Sequence, residues 1–269
     1  FGRLPLINVA GSAALAGTLE IDSSSLDPTA VEVGMHLPLI RFHGLAGRFE
    51  RVVGMSVPKQ PVVPEQPEQP ELFFTLQYVM YLGGDAEQAL GIDLVILETP
   101  RRVDAAGQAH NLVPTPGRDS LALVTHGWTS TVAGNNFTTI ATEMAARAPG
   151  WDVVTFDWRT EAAFLETGFP GYAAESAYDA GESIRFWLAE RNFGAHSAGT
   201  WVISSLADHL PVEADIEVAI WDGYMPTNVR IAGVGNAALS TNIDRGQNIY
   251  ASGDLPDTQV YCAGLVNVD

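Results

Sequence analysis

The sequence predicts an α/β protein: a mostly parallel sheet with helices over residues 100–269, preceded by a smaller β-rich domain over residues 1–99. Three observations carry this reading. Beyond about residue 100, short apolar runs alternate with longer stretches of helical periodicity, the pattern of buried parallel strands joined by crossover helices. Before it, glycines and small residues punctuate short apolar alternations, as in strands joined by tight turns. Within that first part, Pro58–Pro70 sets five prolines among Glu and Gln, a stiff polyproline-like loop between strands.

The elements follow in order. Leu4–Val9 and Ala10–Ile21 read as short strands, as do Val31–His43 and the stretch after Gly44. Leu72–Leu82 and Ile92–Leu97 read as further strands. Leu121–Thr125 is a short apolar run, the mark of a strand buried on both faces. A helix is expected over Phe137–Arg147, stopped by Ala148-Pro149-Gly150. Trp151–Phe156 is the next strand, then a loop from Thr160 to about Tyr172, then a helix from Ala173 to about Arg191 with Ile184, Trp187 and Leu188 on one face. A helix over Thr200–Leu210, a strand over Ile216–Trp221 and last strands near 248–252 and 260–267 complete the chain.

Composition narrows the function. The chain has 269 residues, 46% hydrophobic, enough to bury a substantial core. It holds 32 acidic against 14 basic residues, a net charge of −18, and its single lysine is Lys59. Such a surface repels phosphate backbones, which disfavours nucleic-acid binding. It fits a salty or extracellular setting, and equally plain solubility. No run of about 18 apolar residues suggests a transmembrane span, and one cysteine, Cys262, leaves no intrachain disulfide. No leader is visible, and Phe1 suggests a processed or trimmed chain, from which a leader could have been removed.

The chemistry centres on Ala195-His196-Ser197-Ala198-Gly199. This is nearly the G-x-S-x-G elbow, with alanine for the first glycine; the elbow is a sharp strand-to-helix turn that presents a serine hydroxyl above a sheet. Small flanking residues suit its close-packed backbone. Ser197 is the candidate nucleophile. A helix N-terminus behind it would favour a developing oxyanion.

Four segments, in order and each at a strand's end, resemble the α/β-hydrolase superfamily and within it the lipase-like serine esterases: "VTHGWTS", "FDWR", "AHSAGTW" and "IWDGYMP". The resemblance covers the C-terminal 170 residues. It implies an α/β-hydrolase fold and an oxyanion hole formed by the backbone amides of Trp128 and Ala198. His126, Gly127, His196 and Gly199 would support the site. Asp157 and Arg159 would order the loops. Asp222 is the acid the resemblance implies, and Asp254 in "SGDLPDT" is the alternative one strand later. The N-terminal pieces "VAGSAALAGTLEI" and "GLAGRFERV" weakly resemble β-rich segments of bacterial autotransporter passengers, which implies a secreted or surface module without chemistry.

A base is missing from this set. The family order is serine, acid, histidine, and the six histidines, His36, His43, His110, His126, His196 and His209, all precede Asp222. His209 lies about 18 Å from Ser197 by helical rise, beyond reach of proton transfer. Three explanations stand: a histidine after Asp269, a histidine such as His110 reaching in, or a non-catalytic relative. No Val/Ile-rich strand leads into Ser197 either, so residues near Asn192 are suspected missing or the helix before it ends early. Asp244, Asp254 and Asp257 lack the spacing of a calcium loop. Phe164, Leu165, Phe169, Pro170 and Tyr172 form either an acyl pocket or lid or a loop packed on the core.

The sequence therefore points to a secreted or surface serine esterase or lipase acting on a small-molecule or lipid ester through an acyl-serine, with no cofactor or metal required. The rival reading is a surface-binding or adhesive protein whose hydrolase-like scaffold lacks its base. Oligomeric state does not follow from the sequence.

Overall fold

The computed structural model describes residues 7–59, 70–82, 88–113, 115–118, 120–126, 137–158, 170–189, 196–198, 217–221, 245–249 and 266–268. It opens with two stacked coils. β1 (Ile7–Asn8), β2 (Ser12–Ala14) and β3 (Thr18–Glu20) make the first. β4 (His36–Phe42), β5 (Gly44–Ala46) and β6 (Arg51–Val53) make the second. The pairing is parallel throughout: Ile7 lies against Ile40, Ser12 against Gly44 and Thr18 against Arg51. Exposure alternates along residues 8–24, with odd positions turned inward. This is the period of a strand with one apolar side, and Val9, Ala13, Leu15, Leu19 and Ile21 pack inside.

Two glycines let the coils approach. Gly47 and Gly54 both have φ of +74°, and a Cβ on either would fall on a carbonyl oxygen of the coil above, that of Leu15 or Ile21. No L side chain meets both demands.

β4 leads into a sheet ordered β1-β4-β8-β7, where β7 is Leu72–Leu82 and β8 is Gln88–Glu98. β7 and β8 pair antiparallel along all eleven residues of each strand. β7 is an edge, and its outward amides still find partners. Phe74 N–H donates to the Met55 carbonyl at 2.7 Å. Leu76 N–H donates to Ser183 Oγ at 3.1 Å and Tyr78 N–H to Asp179 Oδ2 at 2.8 Å. The last two acceptors belong to a helix, α2 (Pro170–Ala189). Four residues of helix rise about 6 Å and two residues of strand span about 6.8 Å, so acceptors at i and i+4 match alternate amides of the strand.

The same helix binds the coils. Arg48, in the turn between β5 and β6, donates to Asp179 Oδ1 at 2.7 Å and to Glu182 Oε2 at 2.9 Å. Its guanidinium lies 4.1 Å from the Tyr78 ring centre and 5.3 Å from that of Tyr178. Burial works against the charged guanidinium, yet the two carboxylates hold its pKa above the ordinary value. Burial pushes the Asp179 carboxyl up to about 6, against the pull of Arg48.

A second, five-stranded sheet runs β10-β9-β12-β11-β13. Its strands are β9 (Arg101–Val103), β10 (Ala109–Asn111), β11 (Ser120–Thr125), β12 (Trp151–Phe156) and β13 (His196–Ala198). Helix α1 (Phe137–Arg147) covers one face. Its Phe137, Ile140, Ala141 and Met144 follow helical periodicity and pack on Val103, Ala122, Val124 and Val153. Leu121, Leu123, Val154 and Phe156 turn to the other face and join the core formed by the coils, β7, β8 and α2. Burial on both sides explains the apolar run Leu121–Val124 of β11; in β12 the buried Asp152 is matched by Thr115 and Arg118. A parallel three-stranded sheet, β14 (Glu217–Trp221), β15 (Arg245–Ile249) and β16 (Val266–Val268), completes the described elements.

The expected α/β-hydrolase architecture, a mostly parallel sheet behind a small β-rich domain, is corrected by these observations. The described residues are strand-rich, with only two α-helices among them and solenoid-like stacked coils at the start. The longest ladder, β7 with β8, is antiparallel, and so is β4 with β8. The physical reason is that apolar runs reveal strands but not their partners, so the segments before residue 99 gave no sign of coil stacking or of a shared core. No helix among the described residues is long and apolar enough to cross a membrane.

Two outcomes follow. Gly54→Ala and Gly47→Ala should each lower stability by more than about 1–2 kcal/mol, the cost of a left-handed L residue alone. Gly11→Ala, which meets nothing within 4 Å, should be near neutral; urea unfolding of the three variants checks this. Between pH about 3.8 and about 6 the folded state holds a proton on Asp179 that the unfolded chain has released. Stability should therefore fall as pH rises through that window, by at most about 3 kcal/mol from this group. Asp179→Asn should flatten that part of a stability–pH profile.

Candidate active site

β11 stands at the centre of the region the sequence singled out. Parallel pairing sets Ala122 opposite His196, Leu123 opposite Ser197 and Val124 opposite Ala198. On the other flank, Val124 lies opposite Thr155 and Thr125 opposite Phe156. The elbow sequence and the His126-Gly127-Trp128 sequence are thus carried by adjacent parallel strands. β13 consists of His196, Ser197 and Ala198, and the residues near Asn192, where a lead-in strand was expected, lie outside the described residues. The preceding helix is described to Ala189.

His126 directly follows β11 and is buried. Its Nε2 lies 3.0 Å from Asp157 Oδ1 and 3.0 Å from the Trp158 backbone nitrogen. The Trp158 indole N–H donates to the His126 carbonyl at 2.8 Å, and the two rings stack at 5.4 Å with 7° between planes. One ring nitrogen has one in-plane position, so it either donates to the carboxylate or accepts the amide, according to tautomer. Asp157 and Trp158 follow β12, and β12 and β13 flank β11 on opposite sides. The Nε2 edge of His126 therefore serves the β12 side, away from the strand that carries Ser197. This geometry suits a residue that fixes the strand-end turn and does not suit a base acting on Ser197.

Apart from His196, which is on β13 itself, the other described histidines lie farther off. His110, on β10, is 3.0 Å from Asp104 Oδ2, and that hydrogen bond, with the Gln108 amide, holds the Asp104 carboxyl below the usual range. β10 and β13 form opposite edges of the sheet, about 19 Å apart at ordinary strand spacing. A His110 reaching to Ser197 is thereby excluded. His36 is 3.5 Å from Asp93, and His43 is exposed at the end of β4.

Gly127, Trp128, Gly199, His209 and the alternative acids Asp222 and Asp254 lie outside the described residues. Asp222 follows Trp221, the last residue of β14, and β14 is in contact with β13. Among the described residues no group of three or more His, Cys, Asp or Glu side chains could hold a metal. The Arg48–Asp179–Glu182 cluster was not anticipated. The available signal was the polar run of Ser176, Asp179, Glu182 and Ser183 in a helix whose Ala177, Ala180 and Ile184 mark it as buried.

No family model matches the chain, and no curated protein does. Among solved structures, a protein described as a putative carboxylesterase from Lactobacillus plantarum WCFS1 is similar at a TM-score of 0.32 and 10% identity, over 67% of this chain and 78% of that one. A likeness of that size fixes neither fold nor activity.

The lock on His126 has a measurable consequence. His126→Ala should lower stability by about 2–3 kcal/mol, because it leaves buried partners of the imidazole unmatched. Denaturant unfolding of the full chain checks this; a loss within about 0.5 kcal/mol, the range of an ordinary surface change, would show that the turn is held by other means.

Proposed function

We propose that this chain is a serine hydrolase that cleaves carboxylic esters, with Ser197 as nucleophile. The observation that carries the proposal is the register Leu123–Ser197 and Val124–Ala198. It makes the strand of the serine a direct neighbour of the strand that runs into His126-Gly127-Trp128. An acyl-transfer site needs a nucleophile and oxyanion donors converging on one carbonyl, and adjacent parallel strands are a backbone arrangement that supports this. In the proposal, Ser197 Oγ attacks the ester carbonyl while the amides of Ala198 and Trp128 stabilise the oxyanion. The alcohol leaves with a proton, and water then releases the acid from the acyl-serine. Asp222 would orient the base, with Asp254 as the alternative. The base is left unassigned, because His36, His110 and His126 are engaged elsewhere. The acidic, lysine-poor surface supports action outside the cell or at its surface.

The test is covalent labelling of the full chain with a fluorophosphonate probe. Labelling should occur, and Ser197→Ala should abolish it while Ser12→Ala leaves it unchanged. A folded chain that takes up no probe would remove the esterase reading and favour the surface-binding one.

A further inference from the structure

We propose that the site, on the ester-hydrolase reading above and resting on it, selects esters that carry a positive charge and turns away esters that carry a negative one. Composition is the first ground. The elements of the site, β11, β13 and β14, lie within residues 119–269, and that stretch holds nineteen acidic and six basic residues. A surface so biased has a negative potential, which concentrates cations and repels anions as they approach.

The placement of charge on the sheet is the second ground. β11, β12 and β13 run parallel, and ligands of parallel strands sit outside the carboxyl ends. The arginines described on this sheet and on α1 stand elsewhere. Arg118 donates to the Trp151 carbonyl and to Asp152 Oδ1 at 2.9 and 3.0 Å, at the start of β12, roughly 17 Å from the far end of that strand. Arg147 closes α1 in an ion pair with Glu143 at the same end of the sheet, since Trp151 N–H donates to the adjoining Ala148 carbonyl. Arg102 reaches Thr115 Oγ1, which is itself bonded to Asp152. Arg101 turns to the Ala109 carbonyl of β10, the edge away from β13. At the carboxyl ends the order is reversed. Asp157 follows β12 at once and meets His126 there, and in the sequence Asp222 and Asp269 follow β14 and β16 as directly. An anionic ester nearing the end of β11 therefore meets a carboxylate and, among the described residues of the sheet and α1, no arginine.

The products follow the same sign. The acyl–oxygen bond of the ester breaks, the alcohol leaves with a proton and keeps its cationic group, and the hydroxyl of water stays with the acyl group. The acid then ionises to a carboxylate, which the same potential drives out.

Three butyryl esters test this on the full chain: that of choline, its uncharged isostere with carbon in place of nitrogen, and one of an alcohol of similar length ending in a sulfonate. Each kcat/KM is divided by the rate of the same ester with hydroxide at the same salt, which removes intrinsic reactivity. At about 0.01 M salt the cationic ester should exceed the anionic one at least about tenfold. At about 1 M salt, where charges are screened within about 3 Å, the gap should close, with the neutral ester moving least. Because the readout is a ratio between esters, any effect of salt on the fold cancels. Equal rates at low salt, or a gap that salt does not narrow, would overturn the proposal. So would a preference for the anionic ester, which would point to Arg159, two residues past Asp157. If the neutral ester is not hydrolysed and Ser197 takes up no fluorophosphonate, the esterase reading itself fails and the proposal falls with it.

Discussion

An arginine closed in between two carboxylates and two tyrosine rings ties the coils, β7 and α2 together at one point. Arg48 comes from the coils, Asp179 and Glu182 from α2, and Tyr78 from β7. Asp179 has two tasks, since one oxygen takes the guanidinium and the other takes the Tyr78 amide that the sheet leaves outward. Removing the arginine would leave the buried Asp179 carboxylate without its ion-pair partner, a loss of about 3–5 kcal/mol, comparable to the whole margin of many domains. The apolar core around it, including the Phe73–Phe156 edge contact at 6.3 Å, supplies the bulk of the stabilisation. The ion cluster fixes how the layers are registered.

The active-site geometry depends on the same layering. β11 and β12 can be apolar on both faces because α1 covers one and the β7–β8 sheet with α2 covers the other. Their polar residues are then confined to the ends. His126, Asp157 and Trp158 lie just past the ends of β11 and β12, and they bond to one another. The result is a strand end beside β13 tied by its own side chains.

Several of these features were legible in the sequence. Phe137–Arg147, Leu72–Leu82 and Trp151–Phe156 form with the bounds their patterns suggest, because period and punctuation are local properties. Coil stacking was not legible. The identical tripeptides Leu15-Ala16-Gly17 and Leu45-Ala46-Gly47 invite one alignment, but the true register sets Ala13 against Leu45 and Ala14 against Ala46. Stacking is decided by which positions turn inward and where a glycine can pass a carbonyl, and sequence identity does not report either. The candidate site was legible as a motif around Ser197, and its neighbour relation to β11 was not, since it depends on strand order. The role of His126 needed the positions of Asp157 and Trp158, which follow a different strand.

The capping of β7 also sets an order in time. Its outward amides at Leu76 and Tyr78 wait for acceptors 107 and 101 residues further along the chain. At a synthesis rate of about 5–20 residues per second, roughly 5–20 s separate the strand from the helix that covers it. During that interval the nascent chain presents a long strand, Leu-Phe-Phe-Thr-Leu-Gln-Tyr, without the helical acceptors of its Leu76 and Tyr78 amides. Strands of this composition recruit other chains readily. The interval between the emergence of β8 and that of α2 is therefore one in which this strand is open to misassembly.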